Sequence, residues 1–147
     1  MTVAIWDDSY RTGNKIVDAQ HQELFRMVNE LHDAIVAGKG REVMSPTLVK
    51  LANYTVEHFQ EEERLMHEVN YPGLEGHQGK HKDLTDKVIA LIGKYQTGEA
   101  VLAITLSCFL ANWLTDHIKK EDIALIRYVQ AHRGALADSS VVLTAAR

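Results

Sequence analysis

Helical periodicity places Leu51, Tyr54, Thr55, His58, Glu62, Leu65, Met66 and Val69 on one stripe, so a histidine and a carboxylate interrupt an otherwise apolar face. On an α-helix a four-residue step turns the side chain by only about 40° and raises it by about 6 Å, which lets His58 and Glu62 reach one object. A bare buried carboxylate is costly. Taken alone, the pair reads most simply as a salt bridge or as a histidine satisfied by hydrogen bonds. Three other segments repeat the anomaly, and together they constrain the fold.

Residues 1–17 lack a sustained helical period and read as an extended arm, with a turn signal at Thr12-Gly13-Asn14. A first helix is expected over about 18–37, with Asp18 as its cap. Val17, His21, Leu24, Phe25, Val28, Leu31 and Ile35 form its stripe, which ends at Gly38-Lys39-Gly40. The second helix begins between Arg41 and Thr47. Pro46 is most comfortable as its first residue with Ser45 as cap, while a start at Arg41 is possible with Pro46 within the first turns. The helix runs to about Val69 and stops at Asn70-Tyr71-Pro72-Gly73. The third, about 74–96, carries His77, His81, Leu84, Val88, Leu91 and Tyr95 on one side. The fourth, about 99–118, carries Ala103, Leu106, Leu110, Trp113, Leu114 and His117. Asp122 lies five residues beyond His117, a step that turns it about 140° away on an unbroken helix. The helix must end or bulge near Lys119 for both to face one site. A short helix to about His132 follows, and the tail 135–147 is left unassigned.

Short connections between four amphipathic helices favour an all-α, antiparallel up-down-up-down four-helix bundle. In that topology the start of the first helix, the end of the second, the start of the third and the end of the fourth share one end. His21, His58 with Glu62, His77 with His81, and His117 all lie there. Four independent core histidines have no reason to share one level, whereas a metal centre requires it. The other three of the eight histidines fail the geometry. His67 is half a turn off the stripe, His32 lies about 16 Å down the axis from His21, and His132 follows the bundle.

The 147 residues suit one domain with its own core. We divide them into a domain over 1–134, comprising the arm, a bundle over 18–118 and a short helix over about 120–132, and a tail. A formal charge of −4 shows no basic excess, which argues against nucleic acid as a partner. Trp6, Asp7, Asp8 and Arg11 stand where a signal peptide needs an apolar core. The longest apolar run, Ala100 to Leu114, is short for a bilayer span and is broken by Thr105, Ser107 and Asn112. A lone Cys108 reads as a core filler in a reducing compartment, so a cytoplasmic location is expected.

Five imidazoles and two carboxylates exceed the needs of a single ion, which implies two metals. If Glu62 and Asp122 each bridge both ions and an oxo or hydroxo group adds a further bridge, an octahedral pair keeps one open position. Mixed imidazole and carboxylate donors suit iron, and an open position on two redox ions suits a small diatomic ligand. The paired Glu-x-x-His motifs of ferritin-like oxidases are missing, and fewer anionic ligands favour reversible binding over substrate oxidation.

At this point the chain resembles the hemerythrins, in particular the single-domain bacterial ones. The resemblance rests on Trp6-Asp7 with Ser9, Tyr10 and Gly13, on Asp18-x-Gln20-His21 and on His58-Phe59-x-x-Glu62-Glu63. It continues through Tyr71-Pro72 before His77-x-x-x-His81 and through Trp113-Leu114-x-x-His117-Ile118-x-x-x-Asp122. It implies an oxo- or hydroxo-bridged pair of iron ions that binds O₂ reversibly. His77, His81 and His117 would hold one iron, and His21 and His58 the other, which carries the open position. Leu24, Phe59, Trp113, Leu114 and Ile118 match the positions of an apolar O₂ pocket, where plain core packing is an equally natural role. The expected function is an oxygen carrier or store, not an enzyme. It would be a monomer, with an oxygen-consuming enzyme as a candidate recipient. The competing readings are an O₂- or redox-sensing module, a diiron oxidase or peroxidase, and a protein that detoxifies iron or nitric oxide.

Overall fold

The computed structural model describes residues 2–38, 41–96 and 102–132. A short 3₁₀ turn, Asp8–Tyr10, precedes α1 (Lys15–Val36), α2 (Arg41–Glu68), α3 (Leu74–Gln96) and α4 (Leu102–His117). A π-helical turn, Ile118–Asp122, then leads into α5 over 123–132. The four long helices form an antiparallel up-down-up-down bundle in which α1 packs against α2 and α4, and α3 against the same two.

Helix ends follow local chemistry and shift several expected boundaries. Helix α1 starts at Lys15, three residues before the expected start, because Asn14 and not Asp18 is its cap. The Asn14 side chain accepts from the amides of Ile16 and Val17. Asp18 instead ties the arm to the helix: its carboxylate accepts from the Thr12 amide and hydroxyl at 2.8 and 2.7 Å and from the Gly13 amide. Further up the arm, the Asn29 side chain accepts from the amides of Val3 and Ala4 and donates to the Ala4 carbonyl. Trp6 and Tyr10 pack edge-on against Phe25, so the arm is a built part of the core.

Helix α2 takes the earlier of its two possible starts, so Pro46 lies inside it. It stops at Asn70, whose φ of 51° puts it in the left-handed region. The Asn70 amide donates to His67 and the Tyr71 amide to Met66, which satisfies two carbonyls at the helix end. The expected onset of the fourth helix near 99, the Lys39-Gly40 end of the first, the domain limit at 134 and the tail 135–147 lie outside the described residues. Cys108, expected as a core filler, is only half-buried.

Two apolar clusters divide the interior. The larger contains Leu24, Phe25, Val28, Phe59, Leu84, Leu110, Leu114 and Ile118 among others. The smaller contains Val17, Leu65, Met66, Val69, Leu125, Ile126 and Val129. The ligand-type residues lie where the two clusters meet: His21 falls between Val17 and Leu24, Glu62 between Phe59 and Leu65, and Asp122 between Ile118 and Leu125, while His58 stands one residue before Phe59. A buried polar layer is thus sealed above and below by hydrocarbon.

The glycines that begin α3 have no packing reason. A side chain added at Gly76 or Gly79 would meet nothing within 4 Å. Glycine inside a helix costs backbone entropy relative to alanine. Gly79→Ala is therefore expected to stabilise the fold by about 0.5–1 kcal/mol, read as a rise in Tm. An unchanged or lower Tm would reveal a constraint on this turn.

Candidate metal centre

The polar layer is assembled from one turn of each helix. Helix α1 contributes His21, the last turns of α2 contribute His58 and Glu62, the first turns of α3 contribute His77 and His81, and α4 ends on His117. The π-helical turn supplies the seventh residue. With the Ile123 amide donating to the Ile118 carbonyl, five residues span about one turn, so Asp122 comes round to the face of His117. The His117 Nε2 and Asp122 Oδ1 atoms lie 3.0 Å apart. This is the bulge that the five-residue spacing demanded.

All seven side chains are buried, at 5% exposure or less. Their donor atoms form two groups in which every atom lies within 4.8 Å of the others: Glu62, His77, His81, His117 and Asp122 in one, and His21, His58, Glu62 and Asp122 in the second. The two carboxylates belong to both groups and divide their oxygens between them. Glu62 Oε1 is 2.6 Å from His58 Nε2, while Oε2 is 3.5 Å from His77 Nε2. Asp122 Oδ2 is 3.0 Å from His21 Nε2, while Oδ1 is 3.0 Å from His77 Nε2. Each carboxylate thus offers one oxygen to each group.

Hydrogen bonds do not account for all of the close approaches. Neither oxygen of Glu62 has a hydrogen-bond partner despite the 2.6 Å approach of His58, and Asp122 Oδ1 and both ring nitrogens of His21 are likewise orphaned. His117 Nε2 lies 3.1 Å from the Nε2 atoms of both His77 and His81, and one ring nitrogen carries at most one proton to share. Donor atoms that crowd together with too few protons to pair them all, several of them orphaned, fit a pair of cations between them. Imidazole nitrogen with carboxylate oxygen is a donor mixture suited to iron.

The surrounding groups orient the rings. His58 Nδ1 is 2.7 Å from Gln20 Oε1, so the proton sits on Nδ1 and the Nε2 lone pair is left for a metal. Glu63 Oε2 lies 3.7 Å from His81 Nδ1. Phe59 stacks on His81 with ring centroids 3.7 Å apart, and Trp113 stacks on His117 at 4.3 Å. Helical periodicity assigns Gln20 and Glu63 no role. The available signal was their position directly beside His21 and Glu62, from which a side chain reaches the neighbouring helix's ligand.

Without metal, the two buried carboxylates draw protons onto the rings. Burial opposes a charge on His21 and His77, but Asp122 and Glu62 outweigh it and raise both to about 9. Burial dominates at His81 and lowers it to about 3. Burial and the charge of Glu62 push Asp122 up, yet His117 and His21 bring it down to about 2. Burial likewise opposes the Glu62 carboxylate, while His58, His21 and His77 hold it well below the usual range. Below pH 9 a metal must displace the protons of His21 and His77, so affinity falls as pH falls. Metal uptake at pH 7 is expected to release about two protons from these rings and to weaken by about a hundredfold per pH unit, tenfold for each proton. Proton release during anaerobic ferrous titration measures this, and uptake with no release would contradict it.

Of the expected pocket residues, Leu24, Phe59, Trp113 and Leu114 line one cavity of about 100 Å³ inside the bundle. Ile118 does not. It is fully buried one residue past His117, in the same apolar cluster as Leu24, Phe59 and Leu114. The three histidines set aside lie outside the polar layer. His67 is exposed, His132 is exposed and stacks on Tyr128, and His32 is buried with Nδ1 2.8 Å from Ser107 Oγ.

Comparison with known proteins agrees with this geometry. Residues 12–129 match the Hemerythrin HHE cation binding domain. A bacteriohemerythrin of Pseudomonas aeruginosa is 32% identical over 94% of this chain and 87% of its own length. A myohemerythrin of Riftia pachyptila is 30% identical over 80% of this chain and 87% of its own. A solved structure of wild-type hemerythrin superposes with a TM-score of 0.78 at 31% identity, covering 85% of this chain and 96% of that one.

Proposed function

The chain belongs to the hemerythrin family, and from that premise we propose that it binds O₂ reversibly at a diiron centre and acts as an oxygen carrier or store. The observation that carries the reading is the pair of donor groups sharing Glu62 and Asp122. In this reading His77, His81 and His117 would hold one iron and His21 and His58 the other, with Glu62 and Asp122 available to both. Bound there, two irons would supply the redox chemistry for O₂ uptake.

The remaining work falls to the protein's own residues. Gln20 keeps the His58 proton on Nδ1, so its Nε2 faces the metal. Leu24 and Leu114 exclude water from the approach, and the stacked Phe59 and Trp113 hold His81 and His117 in place. No acid or nucleophile is needed for binding, which supports a carrier over an enzyme. All seven donors come from one chain, which supports a monomer that hands O₂ to an oxygen-consuming enzyme. Among the described residues no helix is long and apolar enough to cross a membrane. Release into the cytoplasm is part of the same proposal.

Elemental analysis of protein produced under iron-replete conditions tests the premise. Two irons per chain are expected, one for each donor group. One metal per chain, or zinc in preference to iron, would overturn the reading.

A further inference from the structure

The cavity that reaches Phe59 and Leu114 is much larger than a diatomic ligand requires. It extends along α2 as far as Leu48 and along α3 as far as Ile92, about 16 and 12 Å of helix measured from Phe59 and Leu84. About 10–15 Å³ of such space holds one water, so about 100 Å³ accommodates a molecule of several heavy atoms. Among the described residues the far walls offer nothing polar to hold water. The hydroxyls of Thr55 and Thr85 donate back to the carbonyls of Leu51 and His81 on their own helices, and the other walls there are aliphatic. The cavity also communicates with the surface, because its lining residues Val56 and Ile89 are 45% and 63% exposed. An apolar entrance between α2 and α3 therefore leads into an apolar chamber that ends beside the metal-binding layer.

We propose that the arm of this cavity between α2 and α3 is a binding site for a small uncharged hydrocarbon, and that its occupant competes with O₂ for the end walled by Phe59 and Leu114. The ligand class follows from the walls. Apolar chambers of comparable size stay dry and take up xenon or benzene, and an ion or a hydrogen-bonding group would lose its hydration here without compensation. The competition, but not the site itself, rests on the O₂-binding reading above.

Xenon NMR and n-butane titration of the iron-loaded protein test the site, and stopped-flow O₂ association tests the competition. Saturable xenon binding is expected. Ala52→Phe, which fills the middle of the arm well away from the seven donors, should weaken that binding at least tenfold while leaving the oxygenated spectrum in place. Ala52→Met is the milder variant should the phenylalanine prevent folding. Saturating n-butane should slow O₂ association severalfold in the wild type and leave the Ala52 variant unaffected. Xenon uptake that never saturates, or that is identical in the wild type and the folded Ala52 variant, would overturn the site. An O₂ rate indifferent to n-butane would overturn the competition. Because xenon uptake needs no O₂ chemistry, a protein that binds xenon but shows no oxygenated spectrum would defeat the O₂ reading and leave the site standing.

Discussion

Glu62→Ala is expected to retain well under one iron per chain, with both donor groups emptied by a single substitution. Glu62 turns one oxygen toward His58 and the other toward His77, so its loss removes a ligand from each side and the link between them. His58→Ala should impair mainly the two-histidine side and be milder in iron content. Removing one partner from a buried charged cluster also costs about 3–5 kcal/mol, so iron must be counted on protein shown to be helical and monodisperse. His67→Ala and His132→Ala provide the controls, since both residues are exposed and away from the layer. They should keep full iron and an unchanged spectrum. Full iron in Glu62→Ala would remove the bridging role, and loss of iron in His67→Ala would contradict the register of α2.

The second large effect is expected at Leu114, 7% exposed on the inward face of α4, three residues before His117 and on the wall of the cavity. If this side chain keeps water and protons from bound O₂, Leu114→Ala should open the approach and accelerate autoxidation to the ferric state. The expected size is about tenfold, equivalent to about 1.4 kcal/mol of barrier. Truncating a buried leucine costs about 2–5 kcal/mol of stability, so the rate is meaningful only for folded protein carrying both irons. Leu114→Asn should act more strongly, because its amide can hold a water where the leucine excluded one. Fully loaded Leu114→Ala that autoxidises at the wild-type rate would leave Leu114 as packing alone. Equal rates in the alanine and asparagine variants would make access, not polarity, the controlling term.

The buried cluster was legible in the sequence because residues of ligand type on an apolar stripe violate a strong local rule. Histidines and carboxylates on apolar stripes stand out when the stripe is otherwise regular, and antiparallel topology then brings the violations to one level. Even the π-helical turn could be anticipated, because five residues between His117 and Asp122 cannot face one point on an α-helix. Less was legible where several residues compete for one task. Asp18 and Asn14 are both good caps, and only the fold shows that the arm returns to claim the Asp18 carboxylate. Pro46 suits a first turn, but it lies inside α2. Gln20 and Glu63 act across helices, and single-helix periodicity carries no information about which ring on the next helix a side chain will meet. Ile118 is absent from the cavity wall although it shares the larger apolar cluster with Leu24, Phe59 and Leu114, a difference that helical periodicity does not carry. The extent of the cavity was not readable either, since it depends on how closely α2 and α3 approach.

Reversible binding of O₂ is the central claim, and repeated absorption spectra of the reduced, iron-loaded protein under alternating oxygen and argon test it most directly. The account predicts a visible band that appears under oxygen, disappears under argon and returns over many cycles with little loss. Irreversible conversion to a ferric spectrum on the first exposure, or no spectral response in protein carrying both irons, would contradict it.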